Sequence, residues 1–123
     1  MRRRQTQQRR AIRRVFQRAG RPLTPDEVLA MARDDVPTLG PATVYRNLAR
    51  LVEEGRLAEV SLPGESTRYE AAELPHHHHF LCRGCGRAFD VPACPGDVEG
   101  LAPRGFVAEA HELVLYGRCP ACG

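Results

Sequence analysis

The sequence predicts an α+β protein made of two small units, and three observations carry that prediction. Residues 6–54 show helical spacing of apolar side chains, interrupted by Gly and Pro. Residues 57–71 read as two short strands around a turn. After residue 75 the chemistry changes. Four consecutive histidines, His76 to His79, run into the pair Cys82 and Cys85, and a second such pair, Cys119 and Cys122, follows after a gap of 33 residues. The division falls between residues 74 and 75, giving an N-terminal domain of 1–74 and a C-terminal domain of 75–123.

In the first domain, Ile12, Val15, Phe16 and Ala19 follow the i, i+3, i+4, i+7 rule and predict a helix over 6–19 that ends at Gly20 and Pro22. Thr24, Pro25 and Glu27 form a helix start with a capping box, and Val28, Leu29 and Ala32 supply that helix's apolar face. Gly40 and Pro41 open a third helix over 42–54, with Val44, Leu48, Leu51 and Val52 turned inward. Ala42, Thr43, Arg46 and Arg50 face outward, with Tyr45 at the border. Strands over 57–62 and 67–71 flank the turn at 63–66. Three short helices followed by a hairpin is the order of a winged helix-turn-helix. In such motifs the N-terminal residues of the second motif helix meet base edges in the major groove. That role falls to Thr43, Tyr45 and Arg46, with Arg46 suited to guanine.

Charge agrees with a polyanionic partner for this domain. All 18 basic residues are Arg, and the first 21 residues hold nine of them with no acid. Residues 1–75 carry 14 Arg against 10 acids, whereas 76–123 carry 4 against 5. Arg4 and Arg9 are candidates for phosphate contacts. No apolar run approaches the length of a membrane span, and the Arg-rich start lacks the apolar core of a signal peptide, which predicts a cytoplasmic protein.

In the second domain, extended segments are expected at 76–81 and 87–91, a short helix at 95–101 and a long strand over 106–116. Forty-nine residues bury little apolar surface alone, so a metal or a partner chain is expected to stabilise them. Cys82, Cys85, Cys119 and Cys122 match a tetrahedral structural zinc site. Cys94 is left over, and no role is expected for it. Strand alternation sends His77 and His79 one way and His76 and His78 the other. Glu70 and Asp90 are plausible oxygen partners on the first face. His111 with Asp97 or Glu99 could join on the second. Such mixed donors suit zinc, iron(II) or manganese(II).

The segments Ala42–Leu48, Arg68-Tyr69-Glu70, 76–86 and 111–119 together resemble the ferric uptake regulator family across nearly the whole chain. The resemblance implies a homodimeric, metal-responsive repressor that binds a palindromic operator in double-stranded DNA. It implies structural zinc on Cys82, Cys85, Cys119 and Cys122. It implies a regulatory hinge site from Glu70, His77, His79 and Asp90. An additional site would involve His76, His78, His111 and Asp97 or Glu99. Many members place a His just before the second helix, where this sequence reads Arg21-Pro22-Leu23-Thr24. That departure counts against peroxide sensing by oxidation of this His. Residues 57–75 contain no Cys, which leaves iron(II) or manganese(II) ahead of zinc as the regulatory ion. An enzyme is not expected, because no His-Glu-x-x-His or evident nucleophile is present; nor is a small-molecule substrate. The competing reading is a constitutive zinc-ribbon adaptor that binds nucleic acid with structural zinc alone.

Overall fold

The computed structural model describes residues 2–123, which divide into two units, 1–74 and 75–123. In the first unit, helix α1 spans Arg2–Ala19, α2 Pro25–Ala32 and α3 Pro41–Glu53. Helix α1 starts at Arg2, four residues before the expected start at residue 6. Its first turn is Arg and Gln, good helix formers that leave no mark on a hydrophobicity pattern. Gly20 ends the helix at φ 59°, with its N–H bonded to the Phe16 carbonyl at 3.2 Å. Helix α2 starts as expected: the Thr24 hydroxyl accepts from the Glu27 N–H at 3.2 Å, and Glu27 accepts from the Thr24 N–H at 3.0 Å.

Strands β1 (Leu57–Val60) and β2 (Arg68–Ala71) pair antiparallel. The turn between them closes through the Glu65 N–H on the Leu62 carbonyl, with Pro63 preceding Gly64 at φ 74°. The strands are shorter than the expected 57–62 and 67–71, because chain beyond Val60 bends into that turn. Leu23 adds a rung that spacing did not reveal, exchanging two backbone hydrogen bonds with Tyr69 at 2.9 and 2.8 Å. The core gathers Ile12, Val15, Leu23, Val28, Leu39, Val44, Leu48 and Leu51, each at most 1% exposed. Phe16, Ala19, Leu29 and Val52 pack on it half-buried.

The second unit is a three-stranded sheet ordered β4-β3-β5. The central β3 (His78–Cys82) pairs antiparallel with β4 (Ala88–Val91) and parallel with β5 (Val114–Gly117). The long strand expected over 106–116 is reduced to β5. Among the described residues, 106–113 lie outside any strand, touching β3 through the Leu113 carbonyl, which accepts from the His79 N–H at 3.2 Å; Phe106 and Val107 are 70% and 86% exposed. The helix expected at 95–101 is a single 3-10 turn, Glu99–Leu101, after Gly96 in the left-handed region at φ 93°. Among the described residues no helix is long and apolar enough to cross a membrane.

Candidate nucleic-acid interface and metal centres

Helix α3 buries Val44, Leu48 and Leu51, and this fixes what it turns outward. Tyr45 and Arg46 are exposed near its N-terminus, and Arg50 one turn on. The Arg46 guanidinium donates to the Thr43 hydroxyl at 3.1 Å, and the Asn47 side-chain amide to the Thr43 carbonyl at 2.8 Å. Thr43, Arg46, Asn47 and Arg50 line a shallow polar depression of about 260 Å³ with Gln5, Thr6, Gln8 and Arg9 of α1. Asn47 and Gln8 had no sequence signal, since a polar residue on an outer helix face looks like ordinary surface. Arg9 is ion-paired with Glu54 and holds that carboxyl below its usual range. Arg4 is exposed on α1.

In the second unit the four cysteine sulfurs of Cys82, Cys85, Cys119 and Cys122 lie within 4.8 Å of one another. The Cys85 and Cys119 sulfurs are 3.8 Å apart. Tetrahedral zinc with Zn–S bonds of about 2.3 Å sets its sulfurs roughly 3.8 Å apart, so the donors fit that ion. Backbone N–H groups of Cys85 and Cys119 point at the Cys82 sulfur from 3.4 and 3.3 Å. These donors bring the Cys82 thiol down to about 6. Hydrogen bonding to Cys119 and Cys82 pushes the Cys122 thiol up to about 12. Thiols this close cannot all ionise without a cation among them. The loop admits no side chain at Gly84, where a Cβ would sit 2.8 Å from that of Cys122.

The histidine run alternates across β3. His77 and His79 rings stack edge-on at 4.9 Å on one face, and His76 and His78 at 4.6 Å on the other. Asp90 sits opposite His79 in the β3–β4 register. Its Oδ1 is 3.4 Å from His77 Nε2 and 3.5 Å from His79 Nε2. His77 Nδ1 lies 2.7 Å from the Pro75 carbonyl, which can only accept, so Nδ1 carries a proton and Nε2 is the nitrogen turned to the carboxylate. Burial and then the His77 ring hold His79 toward its neutral form, against the pull of Asp90 and Glu112. Imidazole nitrogens converging on a carboxylate are a donor set that suits a divalent cation. Glu70, the other expected donor, lies on β2 opposite Ala58.

On the opposite face, His76, His78 and His111 come together, and the fourth donor with them is Cys94. Asp97 lies outside this group, its carboxylate accepting from the Gly100 N–H at 3.2 Å. Glu99 is one step removed: its Oε1 accepts from His111 Nδ1 at 2.9 Å. That bond, then the Cys94 contact, raises the His111 pKa, while the same imidazole lowers that of Glu99. Sequence reasoning missed Cys94, because nothing local marks it and only the turn at Gly96 and the 3-10 turn return it to His111.

An arginine-bearing helix in a winged unit, followed by a unit with three sets of metal donors, defines a class: metal-binding transcription regulators. Residues 1–116 match the Ferric uptake regulator family. The chain is 31% identical over 122 residues to the ferric uptake regulation protein of Campylobacter jejuni, covering 95% of this chain and 78% of that protein. The ferric uptake regulator of Helicobacter pylori, whose structure is described as having three functional metal-binding sites, superposes with a TM-score of 0.68 at 26% identity, over 94% of this chain and 79% of that one. A zinc-bound manganese uptake regulator superposes with a TM-score of 0.76 at 25% identity, over 91% and 87%. The chain belongs to the ferric uptake regulator family, a family of metal-responsive transcription regulators.

Proposed function

We propose that the chain acts in the cytoplasm as a homodimeric repressor that binds a palindromic operator when a divalent ion occupies the site formed by Glu70, His77, His79 and Asp90. The observation that carries this reading is the convergence of His77 and His79 Nε2 on Asp90 Oδ1. When bound, the ion supplies the positive charge that lets these donors share one point. The protein does the rest. The Pro75 carbonyl holds His77 Nδ1 and the β3–β4 register places His79 beside Asp90; Glu70 would supply a further carboxylate oxygen. An ion that favours this arrangement over a looser one shifts the population toward it, by as much as its affinities for the two differ. Thr43, Tyr45 and Arg46 then read bases, and Arg4 and Arg9 hold phosphates, Arg9 by exchanging Glu54 for the backbone. Exposed Leu101, Phe106, Val107 and Leu115 give the second unit an apolar surface for the partner protomer.

The test is binding of the zinc-loaded protein to DNA fragments selected from a random library, measured anaerobically with iron(II), manganese(II) or added zinc(II), and in chelator. Tighter binding with one of these ions, lost in His77→Ala, is the expected result. Equal affinity in chelator and in every ion, with one zinc per chain, would overturn it in favour of a constitutive zinc-ribbon adaptor.

A further inference from the structure

We infer that the second unit holds a thiolate-bearing metal site, with His76, His78, His111 and Cys94 as ligands and Glu99 positioning His111 from outside, and that this site takes a zinc-class ion rather than manganese(II). The inference concerns donors within one unit and does not depend on the regulatory reading above. The resemblance leads one to expect a carboxylate among these ligands. The chain places a sulfur there instead.

The geometry starts at His111. Its Nδ1 is held by the Glu99 carboxylate at 2.9 Å, which keeps the proton on Nδ1 and leaves a lone pair on Nε2. That nitrogen faces His76 Nε2 at 3.2 Å and the Cys94 sulfur at 3.3 Å. A tetrahedral ion with Zn–N of about 2.05 Å and Zn–S of about 2.3 Å sets its donors roughly 3.3 to 3.6 Å apart. The spacings present are those of a slightly contracted tetrahedral set. The His78 ring completes it, 4.6 Å from the His76 ring and 5.0 Å from that of His111. His78 is 3% exposed, and its Nε2 is buried with no hydrogen-bond partner, while the Leu113 N–H lies 3.2 Å from Nδ1. An ion at His78 must displace that N–H or shift the ring proton, so His78 is the weakest of the four donors. A hydrogen-bonded cluster would not need four donor atoms within 4.8 Å and a buried nitrogen left over.

Donor chemistry sets the preference. Three imidazoles with one thiolate suit zinc and cobalt(II), whereas manganese(II) seeks carboxylate and carbonyl oxygen. Glu99 does not reach the ion in this arrangement. It orients His111 and raises the basicity of its Nε2, as outer carboxylates do for metal-bound imidazoles.

Cobalt(II) added to the full-length, zinc-loaded protein isolates this site optically. The four-cysteine site is already filled, and the hinge donors include no sulfur. A sulfur-to-cobalt charge-transfer band must therefore come from Cys94. The expected result is such a band with tetrahedral visible absorption, saturating at one equivalent and abolished by stoichiometric zinc but not by excess manganese(II). Cys94→Ser should remove the band and weaken cobalt binding at least tenfold. Glu99→Gln should keep the band and weaken binding about 10- to 100-fold. His77→Ala should leave the band intact. The assignment is overturned if wild type shows no thiolate band, or if Glu99→Gln abolishes binding while Cys94→Ser leaves it unchanged, the pattern of a carboxylate ligand. Far-ultraviolet circular dichroism of each variant confirms that the comparison is between folded proteins.

Discussion

The two units hold themselves together by different means. Residues 1–74 close over an apolar core drawn from three helices and a hairpin, with Ile12, Leu23, Leu39, Leu48 and Leu51 almost wholly out of water. In residues 75–123 the buried apolar residues described are Leu81, Cys82, Ala88 and Cys119, and two of those are thiols of the four-cysteine cluster. The second unit therefore replaces hydrophobic burial with donor clusters. The contrast is one of scale: a sheet of three short strands cannot bury enough surface to offset its chain entropy, so coordination becomes folding energy.

Zinc removal is the strongest test of that replacement. Stripping zinc with a strong chelator, or making Cys119→Ser, should unfold residues 75–123 while the helical signal of the first unit persists. Structural zinc sites in small domains contribute about 10–16 kcal/mol of binding free energy at neutral pH. Hydrogen exchange resolved by segment checks it, and retained protection in β3 and β5 after zinc removal would break the contrast. The reciprocal change is Leu48→Ala, which opens a cavity in the first core and should cost about 2–5 kcal/mol in denaturant unfolding. Zinc content should not move.

Next in size is Arg46→Ala, expected to weaken selected DNA by about 1–3 kcal/mol and relax preference at one base position, with unfolding unchanged. Uniform weakening on every sequence would instead mark Arg46 as a phosphate contact. A smaller change concerns the start of α2. Thr24→Ala removes one half of the capping box and should cost about 1 kcal/mol.

Glu27 adds a pH signature to that cap. Burial pushes its pKa up, but the Thr24 N–H and the Arg21 guanidinium outweigh it, so the carboxyl is held below its ordinary 4.5. A depressed folded pKa stabilises the fold above the unfolded value and ceases to do so as pH falls through the folded one. Glu27→Gln should thus be less stable than wild type at neutral pH, and the difference should shrink below about pH 4.5. A difference that is constant with pH would show that the ionised carboxylate contributes nothing.

Much of this architecture was legible because it is local. Helical spacing located Ile12, Val28 and Leu48 in the core, Thr24 and Glu27 announced a cap, and a period of two divided His76 and His78 from His77 and His79. The same periodicity misled at 106–113. Alternation describes which face a side chain would take, and a strand also needs a neighbour to accept its hydrogen bonds. Among the described residues, 106–112 meet no such neighbour; the Leu113 carbonyl takes the His79 N–H, and the ladder with β3 begins at Val114.

From its residues alone the chain settles the order of elements and the family, since each rests on residues within one turn, one strand or one short motif. Only folding in three dimensions settles the matters that join distant residues. It set Leu23 against Tyr69, laid β5 parallel to β3, and brought Cys94 to His111 across 17 positions while leaving Asp97 aside. The physical reason is that coordination and ladder partners are chosen by where the backbone returns in space. Here that return depends on the loop after β4, whose path through Gly96 no periodicity records.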